Sequence, residues 1–482
     1  MRSIALAALW IASCASPAER PLVPALRYAG EEVSAPSENA PFRKSAPAVE
    51  SDGALPRVAV EPFTLDNGLR GFVVQRHGFP MVAARLVLDT ADLEAGDVGG
   101  RRAGYLTGVF LSPPEGRVRT SATCGTRGCV IASRGSSDRL GEVLGHVTDA
   151  TLRDGPDALY AQRLASLSRH EQQSVRDPGQ SFARIAAALV FGNGHRYGQT
   201  APGSPPRLEE LEALHGRVFD PRRATLLVVG DVSFQDAVAE ATRRFGAWRA
   251  GAPIAASAPE PLPEPAGPRM AVFQVPKMVQ VRGALVARGP AASSPDFFPF
   301  LVLGDLLGAA PGSEAFEQLR EEMTAAYHVE SSIERLTDVS VMSLGGSFEG
   351  EKAVAGIAKL LQTVRAVREQ GPTPEALERA KRLAVAQWRQ ALATDDGIAG
   401  VLGAGLLDGL SLEATLDTPA RVRAVQAAEV QAAAQKYLGP AALHVVIVGD
   451  PRFLLEAREL RLGAPVPVDG YGQPLAAAKA SE

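Results

Sequence analysis

No two of the chain's seven histidines (His77, His146, His170, His195, His215, His328 and His444) lie four residues apart. A helix that grips one metal ion with two imidazoles needs that spacing, one turn apart on a single face. No helix of this chain can carry such a claw. The single His-Glu dipeptide, His170-Glu171, is followed by Ser174 where a second imidazole would have to stand. Cysteine is scarcer still, with three in 482 residues: Cys14, Cys124 and Cys129. Past the N-terminus no run of eighteen apolar residues occurs, which excludes a membrane-spanning helix from the body of the chain. Lys and Arg are scattered and the net charge is −4, so there is no electrostatic case for nucleic acid. Nucleophile elbows of the Gly-x-Ser-x-Gly type and phosphate loops are absent. The glycine-rich Gly400–Gly409 has no preceding strand and the wrong spacing for a dinucleotide loop, and reads as a packed helix.

What is present is an ordinary globular composition, 46% hydrophobic and 22% charged, enough for two to four domains. The N-terminus stands apart. Met1-Arg2 and the short apolar run Ile4–Ile11 lead to Ile11-Ala12-Ser13-Cys14, which reads as a bacterial lipoprotein signal with Cys14 as the acylated residue. The alternative is a plain secretory signal with an incidental cysteine. Acyl chains contribute about 0.8 kcal/mol per buried CH₂, so several anchor durably. Ala15 after the cysteine, in place of Asp, resembles lipoproteins of the outer membrane. Residues 15–56 are rich in Pro, Ala, Ser and Glu and are expected to be a disordered tether. Such a chain spans on the order of 35 Å end to end.

Cys124 and Cys129 sit in SATCGTRGCVIAS, where β-branched residues flank a glycine-containing turn. This predicts a hairpin closed by the two cysteines, and export favours a disulfide. Two free thiols or a metal pair are the alternatives, the latter poor without a nearby His.

The rest of the chain repeats itself. FDPRRATLLVVGDVSF ends one half and LGPAALHVVIVGDPRF the other, and Pro221 and Pro440 are separated by the same 219 residues as Asp231 and Asp450. Each half closes with a helix (Arg207–Phe219, Pro419–Leu438), a proline turn, an apolar strand and Gly-Asp. This indicates a duplicated domain. The expected organisation is a signal over 1–14, a tether over 15–56, a first domain over 57–250, a Pro/Ala linker over 251–268, a second domain over 269–460 and a flexible tail over 461–482. Asp66-Asn67-Gly68 predicts a hairpin turn before a strand at Met81–Leu88. Ser137–Leu152 predicts an amphipathic helix on Leu140, Val143, Leu144, Val147 and Thr151. Strands are expected at Arg269–Gln274, Val279–Ala287 and Leu336–Phe348. Helices are expected from Phe297 and Ser313 and over Ala353–Glu369 and Thr373–Leu392. The fold class is two homologous α+β domains, each an antiparallel sheet with helices. His195 and Tyr197 in GHRYG read as a surface loop, His146 as solvated, and Trp248 as a core anchor.

LDNGLR (Leu65–Arg70), FGNGHRYG (Phe191–Gly198), the two VGD endings, FGAW (Phe245–Trp248), LREEMTAAY (Leu319–Tyr327) and TPEALERAKRL (Thr373–Leu383), in that order and spacing, resemble the insulinase/pitrilysin zinc peptidases over roughly residues 57–455. The resemblance implies a clam shell of two homologous halves that encloses an unfolded peptide. It also implies His-x-x-Glu-His on a first-half helix, with a further Glu completing the zinc ligands. Here those motif positions read Tyr105, Gly108 and Val109. An Arg-x₆-Tyr pair of the second half survives as Arg320 and Tyr327. The resemblance places this pair against substrate, where a guanidinium suits a carbonyl or carboxylate and a phenol can donate to an oxyanion. The plain alternative is an exposed helix arginine and a tyrosine entering a strand. Ser313 is expected to cap the helix that displays Arg320, after Gly308 and Gly312.

Three functions follow as expectations. The first is a non-zinc, substrate-binding subunit with no cofactor of its own, acting on peptides with a zinc-bearing homologue at the cell envelope, lipid-anchored in the outer membrane and facing the periplasm. The second is a catalytically inactive, lipid-anchored binding or assembly protein on the same fold. The third is a peptidase with a scattered metal site, for instance His170, Glu171 and His195, which would need an ordered outer shell that the sequence does not advertise.

Overall fold

A computed structural model describes residues 57–90, 105–107, 117–152, 160–198, 206–251, 261–263, 270–308 and 311–475. The N-terminal signal with Cys14, the tether, most of the 251–268 linker and positions Gly108 and Val109 lie outside the described residues. Residues 56–482 form one unit by their contacts.

The first half supplies β1 (Glu61–Thr64), β2 (Arg70–Gln75), β3 (Met81–Asp89), β4 (Arg119–Cys124), β5 (Gly128–Ser136) and β6 (Ala224–Gly230). The second supplies β7 (Met270–Gln274), β8 (Gln280–Gly289), β9 (Ala326–Arg335), β10 (Ser340–Glu349), β11 (His444–Gly449) and β12 (Val466–Val468). They form two six-stranded sheets, β1-β2-β6-β3-β5-β4 and β12-β7-β11-β8-β10-β9. Five strands correspond one to one. In each sheet the apolar strand before Gly-Asp is central and wholly buried, parallel to one neighbour and antiparallel to the other. The duplication expected from the 219-residue offset is thus present in the topology, although each sheet is mixed rather than purely antiparallel.

Several local expectations hold. The Asn67 side chain accepts from Leu69 N at 3.1 Å and donates to the carbonyls of Phe245 and Trp248, tying the β1–β2 turn to the buried Trp248. Cys124 and Cys129 face each other across the β4–β5 hairpin as a disulfide. Thr373 caps the Pro374–Ala391 helix by accepting from Ala376 N, with proline in the first turn where no donor is lost. The helix expected over Pro419–Leu438 is instead two, Thr418–Ala424 and Ala427–Tyr437. Gln426 starts the second in extended backbone, its N–H bonded to the Glu429 carboxylate at 2.7 Å, so a capping box interrupts the run. Residues 461–475 are not a flexible tail. β12 adds to the edge of the second sheet by pairing with β7, and the following Asp469–Gly472 turn packs on the Pro178–Phe191 helix.

Each sheet has one face covered by helices of its own half and the other by a helix from the opposite half. The Asp395–Leu407 helix of the second half lays Ile398, Ala399, Leu402 and Leu407 on Val74, Val87, Leu227 and Val229 of the first sheet. Gly403 permits the close approach: a Cβ there would meet Arg85 Cδ at 3.1 Å and Val87 Cγ2 at 3.2 Å. Reciprocally, the Pro178–Phe191 helix of the first half packs Phe182, Ile185 and Leu189 against Ala284, Val286, Val446 and Val448 of the second. Polar contacts lock both exchanges. Arg76 pairs with Asp395 at 2.9 Å, and Arg85 and Arg134 pair with Asp396 at 3.2 and 2.9 Å, at a helix N-terminus that favours carboxylates. At the other end Asp408 receives Arg127 from the first half and Arg335, at 2.8 Å, from the second.

GHRYG is part of the same lock and is not a surface loop. His195, Arg196 and Tyr197 are buried, with the His195 ring 5.6 Å from Phe191. The Tyr197 hydroxyl donates to Asp338 at 2.6 Å, and burial together with that carboxylate pushes its pKa up to about 12. The misreading has a physical cause: the partner lies in the β9–β10 turn, 141 residues away. His146, expected in solvent, is half-buried and its Nδ1 shares a hydrogen bond with Thr120 Oγ1 at 3.1 Å.

His215 stacks on Phe219 with ring centroids 4.3 Å apart, and burial depresses its pKa to about 4, only partly offset by a bond to the Thr151 backbone. A depressed imidazole is neutral in the fold and binds its proton first in the unfolded chain. Stability from this group is complete above pH 6.5 and is lost as pH falls toward 4. His215→Gln is expected to flatten that slope, removing about 2–3 kcal/mol of acid destabilisation. Urea unfolding at pH 7 and pH 4.5 checks it, and parallel curves for both proteins would refute it.

Candidate substrate-binding site

In the second half the chain turns at Gly312, whose φ of +87° is a glycine conformation, and reaches Ser313 in extended backbone. Ser313 occupies the cap position, but its buried hydroxyl makes no capping bond, which corrects the expected cap. One turn of α-helix, Glu314–Phe316, widens into a π-helical turn, Glu317–Glu322. Such turns are uncommon and concentrate at functional sites. Leu319 anchors the inner side, fully buried, and Arg320 faces outward with 48% of its side chain exposed. Its guanidinium lies 5.2 Å from the Phe316 ring and 5.9 Å from the Tyr327 ring, and its nearest carboxylate, Glu321, is 3.8 Å away.

Tyr327 is 80% exposed because of a bulge in β9. Ser347 of β10 opposes His328 while Phe348 opposes Ala326, leaving Tyr327 as the extra residue without a partner. A bulge re-aims one side chain and tightens the local twist. Gly346 marks the spot in the sequence, since a Cβ there would lie 1.8 Å from the His328 carbonyl. The approach to β9 is pinned by Thr324, at φ +48°, whose carbonyl and hydroxyl accept from Lys352 Nζ at 3.2 and 3.1 Å. β9 is also an edge strand, so backbone groups beside the pair lack a strand partner. The structure therefore brings the two sequence-selected residues together, on a π-turn and a bulge that the sequence did not reveal. A guanidinium stacked on aromatic faces beside a presented phenol, at a sheet edge, can engage a peptide's carbonyls.

The first half is different. Tyr105, the first degenerate motif position, lies in a helical stretch 105–107 and is buried. Its hydroxyl donates to Glu171 Oε2 at 3.0 Å and lies 3.4 Å from Ser168 Oγ. Thr107 Oγ1 accepts from Cys124 N at 2.7 Å, fastening the stretch to the disulfide hairpin. A phenol–carboxylate bond stands between the first motif position and a carboxylate further along the chain, where a metal site of this kind would need an imidazole. The described residues here, a phenol bonded to a carboxylate, do not fit zinc. Among the described residues no group of three or more His, Cys, Asp or Glu is placed to hold a metal ion. His170, Glu171 and His195 do not make one: Glu171 is engaged by Tyr105, and His195 sits in the second sheet's core cluster against Phe191 and Tyr197.

Residues 207–384 match the family model described as the peptidase M16 inactive domain. The resemblance to the insulinase-type peptidases holds. The matched stretch runs from the end of the first half through the π-turn, Tyr327 and into the Pro374–Ala391 helix. Solved structures agree in fold. A peptidase M16 inactive domain from Pseudomonas fluorescens is 20% identical with a TM-score of 0.69, covering 82% of this chain and 98% of that one. A protease from Helicobacter pylori is 17% identical with a TM-score of 0.69, covering 81% and 100%. The periplasmic protease PqqL from Escherichia coli is 14% identical with a TM-score of 0.62, covering 83% of this chain and 47% of that one. No curated protein matches the chain in sequence.

Proposed function

We propose that this M16-type chain is the non-zinc, substrate-binding subunit of a peptidase complex at the bacterial envelope, tethered through lipid on Cys14 and acting on peptides together with a zinc-bearing homologue. The observation that carries this reading is the asymmetry between halves: Arg320 and Tyr327 converge and are exposed, while Tyr105 fills the first-half position with a phenol bonded to Glu171. In this reading the partner's zinc supplies the activated water. This chain's residues bind and orient: Arg320 holds a carbonyl or terminal carboxylate of the peptide, the edge of β9 aligns its backbone, and the Tyr327 hydroxyl donates toward developing negative charge. The shared fold with a periplasmic protease supports the compartment.

The Tyr105–Glu171 bond favours a second reading. It fills the first motif position with a phenol in a satisfied hydrogen bond, which suits a catalytically inactive, lipid-anchored binding or assembly protein. Capture of the tagged lipoprotein from detergent-solubilised membranes, with mass spectrometry of what it retains, separates the two. A homologue carrying His-x-x-Glu-His in near-equal amount supports the split peptidase. A stable complex without one sinks that reading and supports the assembly protein.

A further inference from the structure

A second site lies in the second half, independent of the peptidase reading. The Phe297–Gly308 helix, β9, the Pro374–Ala391 helix and the Asp395–Leu407 helix line a partly open cavity of about 390 Å³. Small-molecule sites fall in this size range. Its walls mix apolar side chains, Phe297, Phe298, Leu301, Ile333, Val401 and Val422, with nearly as much polar surface. Three buried polar atoms on its lining residues have no hydrogen-bond partner: Asp305 Oδ2, Ser331 Oγ and Trp388 Nε1. They come from three different elements, a helix, the inward side of β9 and a second helix. Asp305 is only 9% exposed.

Of the other polar groups of the lining, Gln387 is exposed to solvent and the rest are partnered. Arg335 is paired with Asp408, Thr415 Oγ1 donates to Ser411 O and Thr418 Oγ1 donates to Thr415 O. The three orphans are therefore not a general property of the wall. Buried polar groups in proteins are almost always paired, because each unpaired one costs stability. Three around one cavity describe a ligand's complement. Trp388 Nε1–H can only donate, so it requires an acceptor oxygen. The Asp305 carboxyl has no cation beside it, and burial alone pushes its pKa up to about 7. What it lacks is a positive donor. Gly304, next to it, keeps the floor open, since a Cβ there would come 3.3 Å from Ser331 Oγ.

We infer that this cavity binds a small apolar amine bearing a hydroxyl or carbonyl oxygen, with its ammonium on Asp305, its oxygen accepting from the Trp388 indole and its hydrocarbon or aromatic body among the phenylalanines. Ser331 serves either end of such a ligand.

Titration calorimetry on the full chain in detergent tests this with 2-amino-1-phenylethanol as probe. Saturable binding is expected, at least tenfold tighter than 2-phenylethanol, which lacks the ammonium, and than 3-phenylpropionate, which reverses the charge. Asp305→Asn should weaken the amine at least tenfold and raise the Tm of the free protein by about 2 °C or more, since it removes an uncompensated buried carboxyl. Should that variant fail to fold, Trp388→Phe keeps the aromatic wall and removes only the donor, and is expected to weaken the probe several-fold. Absence of saturable binding, which would leave water as the occupant, overturns the proposal. So does an unchanged affinity in whichever variant folds, or 3-phenylpropionate binding as tightly as the amine.

Discussion

In the split peptidase proposed above, Arg320→Ala combined with Tyr327→Phe is expected to lower peptide cleavage by about 10²-fold or more, the size of effect seen when one donor to a developing oxyanion is removed. The two substitutions should divide the loss differently. A guanidinium that grips the peptide equally in ground and transition states acts on KM, so Arg320→Ala should raise KM. A phenol that donates only as charge develops acts on kcat, so Tyr327→Phe should lower kcat with KM little changed. Arg320→Lys should not rescue, because an ammonium cannot reproduce the planar fork that lies over Phe316 and Tyr327. Stability is the control. Both side chains are largely exposed, and the nearest carboxylate to Arg320 is 3.8 Å away, so thermal unfolding should shift by less than about 0.5 kcal/mol. Full turnover in the double variant would refute the assignment. Loss of turnover with a matching loss of stability would reduce the pair to structural residues.

The parts of this site that were legible in the sequence share a cause. Proline turns, the Asn67 hairpin and the paired cysteines are decided by neighbours within a few residues, and the duplicated Gly-Asp endings repeat one strand context twice. Arg320 and Tyr327 are seven positions apart, within reach of a motif. The illegible parts depend on distant chain. β9 carries Glu330, Ser331, Ser332 and Glu334 and looks too polar for a strand, yet an edge strand tolerates that, with β10 covering one side only. The bulge at Tyr327 follows from the close contact of Gly346 with the His328 backbone, visible only once the register is known. The Asp395–Leu407 helix is apolar or glycine around most of its surface, so its sequence points to no single buried face. It covers the sheet of the other half because arginines of that half wait at both of its ends.

That exchange changes what a domain boundary means in this chain. A cut between the halves would strip Ile398 and Leu402 from the first sheet and Phe182 and Ile185 from the second, exposing apolar surface on both. Each buried side chain of this size contributes roughly 1.5–3 kcal/mol. The two halves are therefore expected to fold and unfold together, and a rigid frame is what holds the π-turn and the bulged edge in register with whatever docks on them.

Asp408→Ala should be among the more damaging single substitutions in the body, costing up to about 3 kcal/mol, because the arginines it leaves behind are partly exposed. The Asp408 side chain is fully buried and receives one guanidinium from each half, Arg127 and Arg335, at the end of the exchanged helix. Burial alone would push its carboxyl up and the Arg335 guanidinium down; each pulls the other back toward the charged form. Removing Asp408 leaves two partly exposed guanidinia, Arg127 and Arg335, without their shared counter-ion at the seam between the halves. Arg127→Ala leaves Asp408 its Arg335 partner, so it should cost less, about 1 kcal/mol. Asp408→Asn tests the charge apart from the shape: it keeps an acceptor oxygen but no anion, and is expected to fall between the two. Urea unfolding monitored by far-ultraviolet circular dichroism measures all three. A loss below about 1 kcal/mol for Asp408→Ala would mean that Arg335 escapes to solvent and that the apolar contact of Leu402 and Leu407 alone holds the halves together.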